Sequence, residues 1–181
     1  MVAEQLFREK GFKATSMRDL ATEVGIEPPS LYNHFDSKNA ILENICFDLA
    51  DQFFEAFDLI DHSDDPATRL KKAINGHLAV IIRNMDASVV FLHEWRFLTD
   101  DKLTKYKKLR QQYEDKFCLI IEDGIKSNIF KQMDARFYCL TLFSSMNWIY
   151  DWYNPDGKYQ LNEICDHLYD LIVNGISKTT K

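Results

Sequence analysis

ATSMRDLATEVGIEPPSLYNHFDSKNAIL, Ala14 to Leu42, carries its own helix punctuation. Ser16 followed three residues later by Asp19 predicts a capping-box-like start, a hydroxyl and a carboxylate serving the orphan amides of a first turn. Met17, Leu20, Ala21 and Val24 recur at helical spacing, so this short helix has one apolar face. Gly25 follows where a left-handed C-cap favours a residue without a Cβ. Ile26 is expected to re-enter the core. Pro28 and Pro29 suit the opening turn of a second helix, where missing N–H groups cost little. That helix turns Leu31 and Phe35 inward and leaves Ser30, Asn33 and His34 outside. Two short helices joined by a Gly-containing turn form the helix-turn-helix that presents a helix to a DNA major groove.

Outward from this stretch the chain reads as helix throughout, without strand-like alternation, repeat or Gly/Ser linker. Ala3 to Lys10 forms a short amphipathic helix with Leu6 and Phe7 inward, ending at Gly11. Ser37 caps a long helix whose apolar face is Ile41, Ile45, Leu49, Phe53 and Phe57. DHSDDPAT, residues 61–68, breaks that pattern, and Pro66 takes a first helical position. The next stripe is Leu70, Ile74, His77, Leu78, Ile81 and Ile82, with His77 expected as a satisfied core histidine. Asp86 is expected to cap a helix containing Val89, Val90, Leu92 and Phe97. Thr99 starts the longest helix, with Asp100 and Asp101 complementing the helix dipole. Its inward line is Leu103, Tyr106, Arg110, Tyr113, Phe117, Ile121 and Gly124, and Asn128 stops it.

The last two helices differ in character. Asp134 caps a segment, Phe137 to Tyr153, that is apolar on nearly every face. After a turn at Asn154–Gly157, the final helix carries Ile164, Leu168, Leu171, Ile172 and Gly175 on one stripe. A homodimer through residues 134–153 and 161–177, forming a four-helix bundle about a two-fold axis, would cover both.

Composition bounds what such a chain does. Its 181 residues are 46 % hydrophobic, enough to bury a substantial core. No run of roughly twenty apolar residues predicts a transmembrane helix. The amphipathic, charged N-terminus does not resemble a signal peptide. Cys46, Cys118, Cys139 and Cys165 are far apart within apolar patterns and read as buried, reduced thiols of a cytoplasmic protein. The histidines make no tight pair with them, so neither a metal nor a cofactor is expected. The net charge of −6 argues against a general nucleic-acid binder, so DNA binding must come from a few placed contacts and a dimeric arrangement. The fold class is therefore all-α: a three-helix helix-turn-helix domain over 1–43 and a larger helical effector-binding and dimerisation domain over 44–181.

LFREKGFKATSMRDLATEVGIEPPSLYNHFDSKNAIL resembles the N-terminal domain of TetR-family transcriptional regulators nearly position for position. Phe7, Gly11, Phe12, Thr15, Ala21, Gly25, Leu31, Tyr32, His34, Phe35 and Lys38 stand where the family pattern has them. The resemblance implies a two-domain homodimer, a divergent C-terminal ligand domain and ligand-dependent release from a palindromic double-stranded operator. It also implies that the chain starts near the middle of the family's first helix, upstream of which members often carry a basic arm. HEWRFLTDDKL and MNWIYDWYNPDGKYQLNEI are similar to a branch that senses acyl-CoA esters and controls fatty-acid or sterol-side-chain breakdown.

Ser30 and Asn33 are placed to reach base edges, and Pro28 and Pro29 to contact thymine methyls. Tyr32, His34 and Lys38 resemble the family's phosphate-contacting positions, as does Thr15 or Ser16 at a helix N-terminus. Arg18 can reach a phosphate or a base edge. For a small apolar or amphipathic effector the candidate pocket residues are Phe91, Trp95, Tyr113, Phe117, Met146, Asn147 and Tyr150, although aromatic residues at helical spacing also suit plain core. Arg96 and Arg110 need partners, which Glu94, Glu114 or a ligand anion could supply.

Two rival readings remain open. One keeps DNA binding and gives the larger domain to dimerisation or a protein partner. The other is a small helical enzyme, disfavoured because no Gly-rich phosphate loop, His-x-x-Glu-His or paired-Cys motif is present.

Overall fold

The computed structural model describes Met1–Gly175, and these residues contain helices and turns without a strand. In chain order the helices are α1 (Val2–Lys10), α2 (Met17–Val24), α3 (Pro28–Tyr32), α4 (Lys38–Asp58), α5 (Pro66–Arg83) and α6 (Met85–His93). A 3₁₀ turn (Glu94–Phe97) leads to α7 (Asp100–Lys126), α8 (Ala135–Asn147), α9 (Ile149–Trp152) and α10 (Leu161–Asn174). The fold is all-α. Two compact units emerge, Met1–Asp51 with Asn84–Arg110, and Gln52–Arg83 with Gln111 onward. Helices α4 and α7 contribute residues to both, and the 43/44 division drawn from sequence falls inside α4.

The first unit packs α1 to α3 and the start of α4 around Leu6, Phe7, Phe12, Leu20, Leu31 and Ile41, all buried. Each such side chain contributes about 1.5–3 kcal/mol of apolar burial. Phe12 lies edge-on to Phe7 at 5.2 Å and stacks on Phe97 at 5.5 Å, which ties the segment after α6 into this core. Asn39 donates to the Phe97 carbonyl at 3.0 Å. Three expectations need correction. Val24 and Ile26 stay exposed, because α2 ends at Val24 and the chain turns at Gly25 before either reaches the core. Asp86 does not cap α6; Asn84 is the N-cap, and the Asp86 carboxylate accepts from Arg8 of α1 at 2.6 Å. Arg110 is exposed rather than inward.

In the second unit Pro66 does open α5, and the Asp65 carboxylate accepts from the amides of Ala67 and Thr68 at 2.9 and 3.1 Å. These bonds, with the Thr68 hydroxyl as the strongest partner, hold the Asp65 carboxyl below the usual carboxylate range. Helix α7 ends at Lys126, and Asn128, the expected stop, follows in the left-handed region at φ +59°. Its last turn receives the Phe130 ring so closely that a Cβ at Gly124 would lie 2.1 Å from Cδ2. Asp134 caps α8 through the Phe137 amide at 3.0 Å. The expected single segment Phe137–Tyr153 is broken at Trp148, giving α8 and the short α9. Only one side of it is covered within the unit: Cys139, Leu142, Phe143 and Met146 are buried, while Phe137 is 65 % and Trp148 60 % exposed.

A turn closed by the Gly157 amide on the Asn154 carbonyl at 2.9 Å leads to α10. There Ile164 and Cys165 are buried and Leu171 is 50 % exposed. Residues 176 and 177 of the expected last segment lie outside the described residues. No described helix is long and apolar enough to cross a membrane.

Candidate nucleic-acid interface

The capping box at α2 is complete: the Ser16 hydroxyl accepts from the Asp19 amide at 3.1 Å, and the Asp19 carboxylate accepts from the Ser16 amide at 2.8 Å. The Ser16 hydroxyl, first, and the Ser16 amide together lower the Asp19 pKa. At the other end Gly25 is left-handed, φ +77°, and the Ile26 amide reaches back to the Ala21 carbonyl at 3.0 Å, a 6→1 closure. Pro28 and Pro29 occupy the first turn of α3, where Leu31 is its buried anchor.

This local structure leaves Arg18, Pro29, Ser30, Asn33 and His34 exposed, with Tyr32 at 51 % and Pro28 half-buried. Hydroxyl, amide, imidazole and guanidinium groups thus share one short helix, its exit and its neighbour. These are groups that can contact base edges and phosphates. Ser16, also exposed, stands at the start of α2.

Two of the expected contacts face inward instead. Thr15 is buried, and its hydroxyl donates to the Gly11 carbonyl at 2.9 Å and the Leu6 carbonyl at 3.4 Å. Lys38 donates to the Phe12 and Thr15 carbonyls, each at 2.6 Å, and lies over the Phe12 ring at 4.4 Å. Both side chains are therefore committed to holding α1, α2 and α4 together. Nothing in the local sequence signals this, because residue type alone does not tell a phosphate donor from a donor to carbonyls.

The candidate effector residues divide between the units. In the first unit Trp95 stacks on Tyr106 at 5.6 Å, Phe91 meets it edge-on at 5.1 Å, and the Tyr106 hydroxyl donates to the Phe91 carbonyl at 2.7 Å. Arg96 lies over the Trp95 ring at 4.9 Å and donates to the His93 carbonyl at 3.2 Å. Glu114, suggested as a partner for Arg96 or Arg110, accepts from Arg136 at 2.9 Å.

In the second unit Tyr113, Phe117 and Met146 are buried, and Asn147 and Tyr150 half-buried. Tyr113, Phe117 and Asn147 meet at His77, the core histidine expected from sequence. Its Nδ1 is 3.3 Å from the Tyr113 hydroxyl and its Nε2 3.1 Å from the Asn147 side-chain oxygen. Phe53 stacks on its ring at 4.7 Å. Burial drives the imidazole pKa down to about 4, so the ring is neutral at pH 7. The assigned Asn147 oxygen accepts, so Nε2 carries the hydrogen, and Nδ1 accepts from the Tyr113 hydroxyl. Sequence reading identifies all three residues but does not join them, because they come from α5, α7 and α8.

Two of the open grooves in this unit are large enough to hold a small ligand. One, about 460 Å³, runs along α5, α8, α9 and α10 and is walled by Leu78, Ile149, Trp152, Ile164, Leu168 and Leu171. The other, about 590 Å³, lies among α4, α5 and α10 and combines Ala56, Leu59 and Ile60 with Lys71, Lys72 and Asn75. Lys71 is paired with Asp166 at 2.7 Å and Lys72 with Asp64 at 2.6 Å.

Comparison with known proteins agrees with this arrangement. Residues 2–45 match the family described as bacterial regulatory proteins, tetR family, and residues 63–176 match the tetracyclin repressor-like C-terminal domain. The chain is 26 % identical to the HTH-type transcriptional repressor KstR2 of Mycobacterium tuberculosis over 98 % of its own length and 90 % of the relative. The structure of the TetR-family regulator PfmR from Thermus thermophilus superposes with a TM-score of 0.88 at 28 % identity, covering 98 % of this chain and 99 % of that one. AibR in complex with isovaleryl coenzyme A and operator DNA shares the fold with a TM-score of 0.85 at 21 % identity, over 95 % and 94 % of the two chains. With a matched C-terminal domain spanning more than half of its length and a matched helix-turn-helix in front of it, the chain belongs to the TetR family of DNA-binding transcriptional regulators.

Proposed function

We propose that the protein is a cytoplasmic homodimeric repressor that binds a palindromic operator and is released by an acyl-CoA-class effector. The observation that carries the DNA half is the capped α2–Gly25–α3 unit, whose Pro29, Ser30, Tyr32, Asn33 and His34 all stand exposed around one anchored Leu31. Ser30 and Asn33 read base edges, Pro28 and Pro29 meet thymine methyls, and Ser16, Arg18, Tyr32 and His34 contact the backbone. Two copies place two such helices in successive major grooves about 34–36 Å apart. The exposed apolar side of α8 to α10, with Phe137, Trp148, Trp152 and Leu171, is the surface through which the copies join.

The second unit takes the effector. Its two components sit on the same helices: Ala56 and Gly76 face the 590 Å³ cleft, while Phe57 and His77, one residue on, face the aromatic core. An acyl chain repacks the core of Tyr113, Phe117, Met146, Asn147 and Tyr150, and an anionic head takes the place of Asp166 and Asp64 on Lys71 and Lys72 in the cleft. The complex of AibR with isovaleryl coenzyme A supports the ligand class. The effector acts by binding one conformer better than the other, with α4 as lever because its residues belong to both units.

The test is binding of the purified protein to its own upstream intergenic DNA, at two salt concentrations, with and without long-chain acyl-CoA. Salt-sensitive binding that acyl-CoA abolishes is the expected result. Binding indifferent to acyl-CoA removes the ligand assignment and leaves the DNA-binding one. Absence of binding to any upstream fragment overturns both.

A further inference from the structure

Within the second unit, helices α7 and α8 bring a further chemically distinctive group together. Cys118 and Cys139 are both buried and both free thiols. The Cys139 thiol donates to the Glu114 carbonyl at 3.3 Å. That carbonyl lies four residues before Cys118 and is the acceptor to which the Cys118 amide points in a regular helix. Cys139 is thereby held against the turn that carries Cys118, and the Cys118 side chain is among the neighbours that raise the Cys139 pKa. A guanidinium nitrogen of Arg136 is 3.8 Å from the Cys118 sulfur, and its other terminal nitrogen is fixed on the Glu114 carboxylate at 2.9 Å. Arg136 itself is exposed, so the dithiol lies directly beneath a solvent-facing cation.

We propose that Cys118 and Cys139 form a peroxide-oxidisable dithiol that closes to a disulfide between α7 and α8. Cys118 is the attacking sulfur, with the guanidinium beside it supplying the positive charge that a reacting thiolate requires. It takes one oxygen of hydrogen peroxide, breaking the O–O bond, and becomes a sulfenic acid while the other oxygen leaves as water. The Cys139 sulfur then attacks the Cys118 sulfur. The S–O bond breaks, and the hydroxide leaves with the Cys139 proton as a second water. Two thiols lose two electrons, and one peroxide becomes two waters. Burial raises the Cys139 pKa, so Cys139 is not the initiating sulfur.

The other cysteines serve as internal controls. Cys46 lies on the first-unit part of α4, and the Cys165 thiol donates to the Lys71 carbonyl at 3.7 Å. The inference does not depend on the effector or the operator.

The experiment is treatment of the folded protein with dilute hydrogen peroxide, followed by thiol titration and peptide mass mapping. The expected product has lost two of its four titratable thiols per chain and two hydrogens in mass. A single crosslinked peptide pair holds Cys118 and Cys139, and dithiothreitol reverses it. Cys139→Ser and Cys139→Ala stop at a dimedone-reactive Cys118. Arg136→Ala slows oxidation roughly tenfold while Arg136→Lys largely retains it. Four thiols persisting in the folded protein, a disulfide joining any other pair or two chains, or oxidation seen only after unfolding would each overturn the proposal. The mapping on the unmodified sequence decides even if the variants fold poorly.

Discussion

The ammonium nitrogen of Lys38 stands 2.6 Å from the carbonyl oxygen of Thr15, twenty-three residues earlier in the chain. With the Phe12 carbonyl at the same distance, the first turn of α4 is pinned to the loop between α1 and α2. Lys38→Met keeps the aliphatic stem but removes these charge-assisted bonds and should cost about 1–3 kcal/mol of stability in urea unfolding. Lys13→Met, on an exposed side chain over Phe97, should stay within about 0.5 kcal/mol. Equal and negligible losses would return Lys38 to a surface role.

The recognition face should separate affinity from stability. Asn33 and Tyr32 are exposed, and Asn33 closes α3 through its backbone. Asn33→Ala should weaken operator binding by about tenfold or more, in the range of 1–3 kcal/mol, with unchanged unfolding. Fluorescence anisotropy against urea denaturation checks both. The salt dependence should be shallow for a DNA-binding protein. Lys38 and Arg8 are held by internal partners, leaving mainly Lys10, Lys13 and Arg18 in the N-terminal segment. Counting three cations per chain in a dimer predicts a log–log slope of about −5 or less steep.

Leu171→Glu tests the apolar surface of α8 to α10. Leu171 is half-exposed and borders the 460 Å³ groove, so a carboxylate there adds little strain within one chain. It should convert a dimer to monomers in analytical ultracentrifugation and weaken operator binding, while the helical circular dichroism stays unchanged. A variant that remains dimeric would place the interface elsewhere.

Stability should depend on pH through His77. Its pKa is depressed to about 4 in the fold from an unfolded value near 6.5, so the unfolded chain binds the extra proton between those limits. The stabilisation is complete above the unfolded pKa and drains as pH falls toward 4, at up to about 1.4 kcal/mol per pH unit. His77→Leu should be less stable at neutral pH, since it orphans Tyr113 and Asn147, yet should lose this part of the acid slope. Unfolding free energies at stepped pH for both proteins measure the difference.

Legibility in the sequence follows the range of the interactions. Helix ends are readable because their causes are local: Ser16 with Asp19, Gly25, Pro66, Asn128 and Asp134 each act within a few residues. Val24 and Ile26 mislead because an apolar residue beside a turn looks the same whether or not the turn carries it inward. The break at Trp148 is invisible because the residues around it are as apolar as those within α8. Lys38, Thr15 and the pairing of Glu114 with Arg136 escape for a different reason. Their partners are backbone carbonyls or side chains on other elements, and one sequence does not register them.

The donor–acceptor order at His77 has a further consequence. Tyr113 gives a hydrogen to the imidazole and the imidazole gives one to Asn147, so the chain of three is filled while every member is uncharged. A core wired in this way is blind to ordinary swings of acidity, since the imidazole stays neutral until the pH approaches about 4. That blindness hangs on a single amide. Exchanging Asn147 for aspartate would put an anion where a neutral oxygen now accepts, lift the proton affinity of the imidazole and install an acid sensor in the same three-helix junction.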